Sequence, residues 1–416
     1  MAKQITEEQV DLIVEKLVDH IEEANAKYLK NIGASINKLR KLTPTQAQKL
    51  VQILKYGGNY DDIVKQLSKY TNLSIKEVDE IFRAYSKKDQ MFYKEFYEYK
   101  NMPFVEYSKN VALQKQTQAL ANVVKNELYD FTRENVLGYA IEDLNGVKRF
   151  MGLRETYNEV LDRALLNAGQ GKETFDSAMR GILEQIGGSG LRTLEYQSGR
   201  HIRLDSAVRM DLKARLRELH NENQKMFGEE FGADGYEISV HFNPAPDHAE
   251  AQGRQFSIEE FNKLQSNGTA IDYKGRTTDL HLELSSGKSA VTFRPISELN
   301  CYHYIFPIIL GVSEPEYNEK QLKKIRNDNE KGFEYEGKHY TNYEGTQLQR
   351  NLEKRIREQK DIQILARASG DNELVGKSQR NIDILTNKYK ELHEVSGLPT
   401  KKQRLSVSGY RRTKIK

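Results

Sequence analysis

The chain has 416 residues with one cysteine, no tryptophan and eight prolines; 38% are hydrophobic and 30% charged. One Cys excludes an intrachain disulfide scaffold, the lack of any apolar run near ~18 residues excludes a membrane-spanning helix, and the charged opening MAKQITEEQV predicts no secretory leader. The net charge of +4 conceals a division: residues 320–416 carry 23 Lys+Arg against 13 Asp+Glu, a balance of +10, which leaves −6 for residues 1–319 and points to an anionic partner for the C-terminal end.

The first stretch reads as helix. Val10, Ile13, Val14, Leu17 and Ile21 form one apolar stripe from about Thr6, with Thr6 and Gln9 spaced as a capping box. Tyr56-Gly57-Gly58-Asn59 and Thr71-Asn72 punctuate short helices. Ser74 and Glu77 predict a second helix start, followed by Val78, Ile81, Phe82 and Tyr85 at helical spacing. Residues 1–88 are therefore expected to form an N-terminal helical bundle. Residues 91–107 are dense in aromatics (Phe92, Tyr93, Phe96, Tyr97, Tyr99, Phe104, Tyr107). They read either as a packed seam between bundles or as an exposed docking strip for a partner. A helix carrying Leu120, Val123, Val124, Leu128 and Phe131 follows. Segments near 153–168 and 173–186 complete a helical region over 89–190 that ends in the turn Gly187-Gly188-Ser189-Gly190.

Residues 191–312 read as an α+β core module. Strand-like pieces over 191–203 precede a strongly charged helix at 205–231. Tyr236, Ile238 and Val240 then alternate with polar residues in a strand ending at His241. One helix is expected near 257–264. The last segment, 313–399, begins with a helix from about Glu314 to Lys331. Phe333–Thr341 reads as a β-hairpin, Thr341 and Glu344 as a capping box, and two long helices follow. Residues 400–416 form a basic tail. The fold class expected is mainly α with a central α+β module, elongated and multi-segment, with long C-terminal helices.

Two groups of residues carry possible chemistry. His241, Asp247, His248, Cys301 and His303 lie in two short patches, HFNPAPDH and NCYH. Imidazole and thiolate are zinc ligands, and a tetrahedral site needs four donors. Zinc is thus the cofactor these residues suit, although no standard finger spacing is present. The alternative is hydrogen-bonded histidines and a buried Cys within a turn-rich fold. A metal-bound water with Asp247 or Glu250 as base would make a hydrolase or nuclease, and a Cys–His pair would supply a nucleophile and its base. The second group is Lys401, Lys402, Arg404, Arg411, Arg412, Lys414 and Lys416. It reads as a solvated end or as a sequence-independent contact with DNA phosphates. Two phosphate-loop signals fail: Gly287-Lys288-Ser289 has Leu282 where a Walker loop needs Gly, and the 187–190 glycines lack dinucleotide-loop spacing.

The run from Tyr335 to Arg357 (YEGKHYTNYEGTQLQRNLEKRIR) resembles a hallmark of the phage minor capsid protein 2 family, which is related to Mu-type head morphogenesis proteins. YQSGR at 196–200, DSAVR at 205–209, GADG at 232–235, DHAEAQG at 247–253 and NCYH at 300–303, with Pro307 and Gly311, resemble its central region. Tyr302 stands where the family often has a basic residue. The resemblance implies a low-copy, non-enzymatic structural protein of the virion, made in the bacterial cytoplasm. It further implies incorporation with the portal, with the portal protein, other head proteins and packaged double-stranded DNA as partners. A host-directed effector packaged in the virion is the remaining alternative.

Overall fold

The computed structural model describes residues 7–56, 59–142, 146–195, 200–283, 291–297 and 301–413. Among these, helix dominates, and the strands form small antiparallel sheets. No helix is long and apolar enough to cross a membrane among the described residues.

The N-terminal helices are α1 (Glu7–Leu39), α2 (Pro44–Tyr56), α3 (Asn59–Tyr99) and α4 (Val111–Thr132). Val14, Leu17 and Ile21 of the predicted stripe on α1 are buried. So, however, are Glu15, Glu22 and Asn25, because α1 is flanked by several later helices. The predicted cap at Thr6 lies outside the described residues. The predicted start at Ser74 is not a helix start: α3 runs through it for 41 residues. Glu77 meets His20 on α1 at 3.3 Å instead of capping a turn, and Tyr60, Val78, Phe82 and Tyr85 keep one face of α3 buried. Tertiary packing outweighs the few tenths of a kcal/mol by which Ser, Thr and Asn disfavour helix interiors.

The hairpin β1 (Gly138–Glu142) and β2 (Lys148–Gly152) leads into α5 (Leu153–Asn167) and α6 (Lys172–Ser189). A second hairpin, β3 (Arg192–Glu195) and β4 (Arg200–Arg203), completes a sheet of order β2-β1-β3-β4. Gly187, Gly188 and Ser189, expected as a turn, form the last turn of α6, and Gly190 caps it at φ +62°. The first glycine is required by packing, since a Cβ at Gly187 would lie 2.6 Å from the Ile362 backbone.

The charged helix α7 (Leu204–Phe231) is central. Its Phe227 and Phe231 take the rings of Tyr93, Phe96 and Tyr97 from α3 at centroid distances of 4.5–5.8 Å. The aromatic strip is thus a seam, with Phe92, Phe96 and Tyr99 still partly open to solvent. Next come β5 (Gly235–Ile238), β6 (Gln255–Ser257), α8 (Ile258–Asn267), β7 (Thr269–Ile271), β8 (Thr277–Asp279), β9 (His281–Glu283), β10 (Val291–Phe293) and β11 (Ile305–Ile308). The sheet β11-β5-β6 is backed by a small core of Tyr236, Ile238, Phe256, Phe261 and Leu264.

The last helices are α9 (Glu319–Lys331), α10 (Asn342–Ser369) and α11 (Asn372–Ser396). Asn318 and Gln321 form a capping box on α9, so it starts later than expected, after Pro315. Between α9 and α10 lies the hairpin β12 (Phe333–Tyr335) and β13 (Lys338–Tyr340). Its turn residues Glu336 and Gly337 both have positive φ, the conformation of a two-residue type I′ loop. The Thr341–Glu344 capping box forms as expected. Ile362, Leu365 and Val407 join the apolar core built by α1 through α7.

Candidate functional site

The strand pairing that ends the sheet builds the first candidate site. Ile238 on β5 faces Ile305 on β11, and the two chains stay together beyond the ladder. Ser239 N donates to Tyr304 O at 2.9 Å, and Tyr304 N to Ser239 Oγ at 2.9 Å. His241 is thereby held beside the Cys-Tyr-His turn, its Nε2 hydrogen-bonded to the Tyr302 carbonyl. The chain then forms a 3₁₀ turn at Pro246–His248. It returns through Gly253 (φ +68°), whose N–H bonds to Ile238 O at 2.8 Å.

This brings His248, Cys301 and His303 together, with one donor atom of each within 4.8 Å of the others. Cys301 Sγ lies 3.3 Å from His303 Nδ1 and accepts from His303 N at 3.4 Å. The outer nitrogens are occupied: His248 Nε2 meets Arg294 O at 2.7 Å, and His303 Nε2 meets Gln252 Oε1 at 3.3 Å. Exposure is 1%, 2% and 3% for His248, Cys301 and His303. Burial pulls the His248 imidazole down, but Cys301, Asp247 and the Arg294 carbonyl together carry it above its ordinary value. Burial raises the Cys301 thiol, and His248 with two backbone N–H groups outweighs that and lowers it. Burial beside His241 and His248 and the cations Arg294 and Arg217 holds His303 far below the usual imidazole range.

Two of the five predicted residues stand differently. His241 stacks edge-on against His303 with centroids 4.7 Å apart, outside the three-donor cluster. Asp247 is committed to Arg294, which grips its carboxylate through Nε at 2.9 Å and Nη2 at 2.7 Å. Glu250, the other base considered, is exposed. Tyr302 faces outward from the cluster into the helical body. Lys213 and Arg217 of α7 and Arg350 of α10 lie 5.0–5.8 Å from its ring centroid, and Arg350 donates to its hydroxyl at 3.1 Å. The turn therefore joins the small sheet to the long helices through cation–π contact.

Arg294 and Gln252 were missed by sequence reasoning. Gln252 lies inside the DHAEAQG motif, but nothing local marks its amide as a partner for a histidine 51 residues away. A buried ion network between α1, α7 and α10 was missed too. Arg209 holds Glu15 through two nitrogens at 2.7 and 2.8 Å. Arg203 reaches Asp205 and Asp361 at 3.1 Å each, and Arg357 lies 2.9 Å from Asp205. Asp205 and Arg209 belong to the DSAVR motif and Arg357 ends the YEGKHYTNYEG run, so two separated motifs meet here.

The basic end folds back onto the body. Lys401 bonds to Asp11 at 2.8 Å, Arg404 is buried 3.8 Å from both Asp11 and Glu353, and Arg412 pairs with Asp383 at 3.2 Å. Lys402 and Arg411 are exposed. Lys414 and Lys416 lie outside the described residues.

Comparison with known proteins adds one finding. A family model described as phage minor capsid protein 2 matches residues 5–393. No curated protein and no solved structure matches the chain.

Proposed function

We propose, because the chain belongs to the phage minor capsid protein 2 family, that it is a structural component of a tailed-phage head, incorporated with the portal during assembly and contacting packaged DNA or neighbouring head proteins. The observation that carries this reading is the extent of the family match, from residue 5 to residue 393. Membership of the family supports a structural role in the phage particle.

Surface chemistry supports the DNA contact. Lys320, Lys323 and Lys324 are exposed on α9, and Lys402 and Arg411 are exposed at the basic end. Such cations bind phosphate without reading sequence. The work proposed is binding rather than bond chemistry: the His248–Cys301–His303 cluster is too buried for a substrate to reach.

Co-expression with the portal protein from the same phage, followed by affinity purification and DNA mobility-shift assays at two salt concentrations, tests the reading. The chain is expected to co-purify with the portal and to bind duplex DNA in a salt-sensitive way. Charge-neutral Gln replacements at Lys402, Arg411, Lys414 and Lys416 are expected to weaken the DNA shift and leave portal association intact. The substitutions leave Lys401, Arg404 and Arg412 and their ion pairs unchanged, so the variant keeps those anchors of the docked end. A chain that ignores the portal would remove the portal from the proposal, and salt-independent or absent DNA binding would remove the DNA.

A further inference from the structure

We propose that His248, Cys301 and His303 form a structural zinc-binding site that fastens the Pro246–His248 turn to the segment entering β11. Arg294 O is a carbonyl and can only accept, so His248 Nε2 must carry a proton. The Gln252 oxygen imposes the same on His303 Nε2. A neutral imidazole has one N–H, so in each ring Nδ1 is a bare lone pair.

One donor atom of each residue lies within 4.8 Å of the others in a site no more than 3% exposed, and the bare Nδ1 of His303 stands 3.3 Å from the sulfur. A thiol supplies one proton, which satisfies one of the two nitrogens and leaves the other facing sulfur. A divalent cation resolves all three donors at once. Zinc suits one thiolate with two imidazoles, and its bonds of about 2.0–2.3 Å set ligands about 3.5 Å apart. Closing the cluster onto an ion thus requires movements of about 1 Å. Binding releases the thiol proton, leaving thiolate and two neutral imidazoles as ligands.

The surroundings have the form of a ligand shell. Metal-bound histidines donate their other N–H to a carbonyl or carboxylate, which fixes ring and tautomer. Here the Arg294 carbonyl accepts from His248 Nε2 and the Gln252 Oε1 from His303 Nε2, and Asp247 in turn anchors Arg294. The His303 N–H on Cys301 Sγ supports a thiolate in the same manner. Complete burial assigns the ion a structural role, since catalytic zinc needs an open coordination position that a substrate can reach. His248, Cys301 and His303 supply three of the four ligands of a tetrahedral ion, while His241, its Nε2 held by the Tyr302 carbonyl, packs against the His303 ring outside the cluster.

The full-length chain, purified without chelator, is expected to carry about one zinc per chain. Cys301→Ser and His303→Gln are each expected to lose it, while His281→Gln, in a ring outside the cluster, retains it. Cys301 is the only cysteine, so cobalt added to chelator-stripped native chain should give a sulfur-to-cobalt charge-transfer band from this residue alone. Added zinc should raise the melting temperature of the native chain and leave that of Cys301→Ser unchanged. The cobalt and melting experiments use the unsubstituted chain, so a variant that fails to fold does not protect the proposal. A stripped, folded native chain with no charge-transfer band and no zinc-dependent rise in melting temperature would overturn it.

Discussion

Glu22 shows how single residues are set by their surroundings in this molecule. It is 9% exposed on α1, with Asp205 from α7 and Asp361 from α10 as like charges and Arg209 and Arg357 as opposite ones. Burial first, and then the Asp205 carboxylate, pushes its pKa up to about 8. A carboxyl raised in the folded state holds a proton there that the unfolded chain has lost. Its stabilising contribution is therefore present below about pH 4.5 and disappears as pH rises through about 8. Glu22→Gln keeps the neutral shape, and the variant should gain stability over the native chain across that window, by about 2–4 kcal/mol at pH 9. Urea unfolding at pH 5 and pH 9 checks this: the two proteins should be close at pH 5 and separate at pH 9. Asp205 runs the other way. Burial would raise it, but Arg357, Arg203 and Arg209 outweigh that and hold it far below the usual range, so its contribution is lost as pH falls.

These residues also show why only part of the site was legible. Cys301, His303 and His248 stand out by type, because thiol and imidazole are rare and chemically marked. Arg294, Gln252 and Glu22 do not. Charged and amide side chains are ordinarily solvent-facing, and only the fold brings in the counter-charges that make their burial tolerable. The same ambiguity affected the basic end, where Lys401 and Arg404 read as solvated cations but serve as partners to Asp11 and Glu353.

At the level of elements, local signals were followed wherever they stood alone. The Thr341–Glu344 capping box and the hairpin before it formed as read, since each is closed by residues three to seven apart. The Ser74 signal failed because a continuous buried face on α3 overrode it. The β1–β2 hairpin was overlooked although Asn145-Gly146 stands between its strands, a recognised hairpin signal. The glycines of α6 divide in the same way. A Cβ at Gly187 meets the backbone of α10 at 2.6 Å, while one at Gly181 meets nothing within 4 Å. Gly187→Val should therefore cost about 2–3 kcal/mol by forcing α6 and α10 apart. Gly181→Ala should gain about 0.5–1 kcal/mol, because alanine restricts the unfolded chain at an open helical position. Thermal or urea unfolding of the two variants separates these effects on one helix.

On the scale of the whole molecule, the division of charge acquires a structural meaning. The acidic first part and basic last part are partly neutralised against each other through Asp11 with Lys401 and Arg404, and through Asp205 with Arg357. The chain's end is fastened beside its beginning, and the cations left over on α9 and at Lys402 and Arg411 face outward. Sequence motifs marked the family, while the meeting of α1, α7 and α10 depends on contacts across more than three hundred residues and left no local trace. The long helices, the internal ion pairs and the family match over residues 5–393 all describe a part built to be held in an assembly. Quantitative mass spectrometry of purified phage heads tests that most directly. Peptides from this chain are expected in DNA-filled heads at a low, fixed ratio to the portal, persisting through gradient sedimentation and high-salt washing; heads of full infectivity that contain none of it would rule out a structural role.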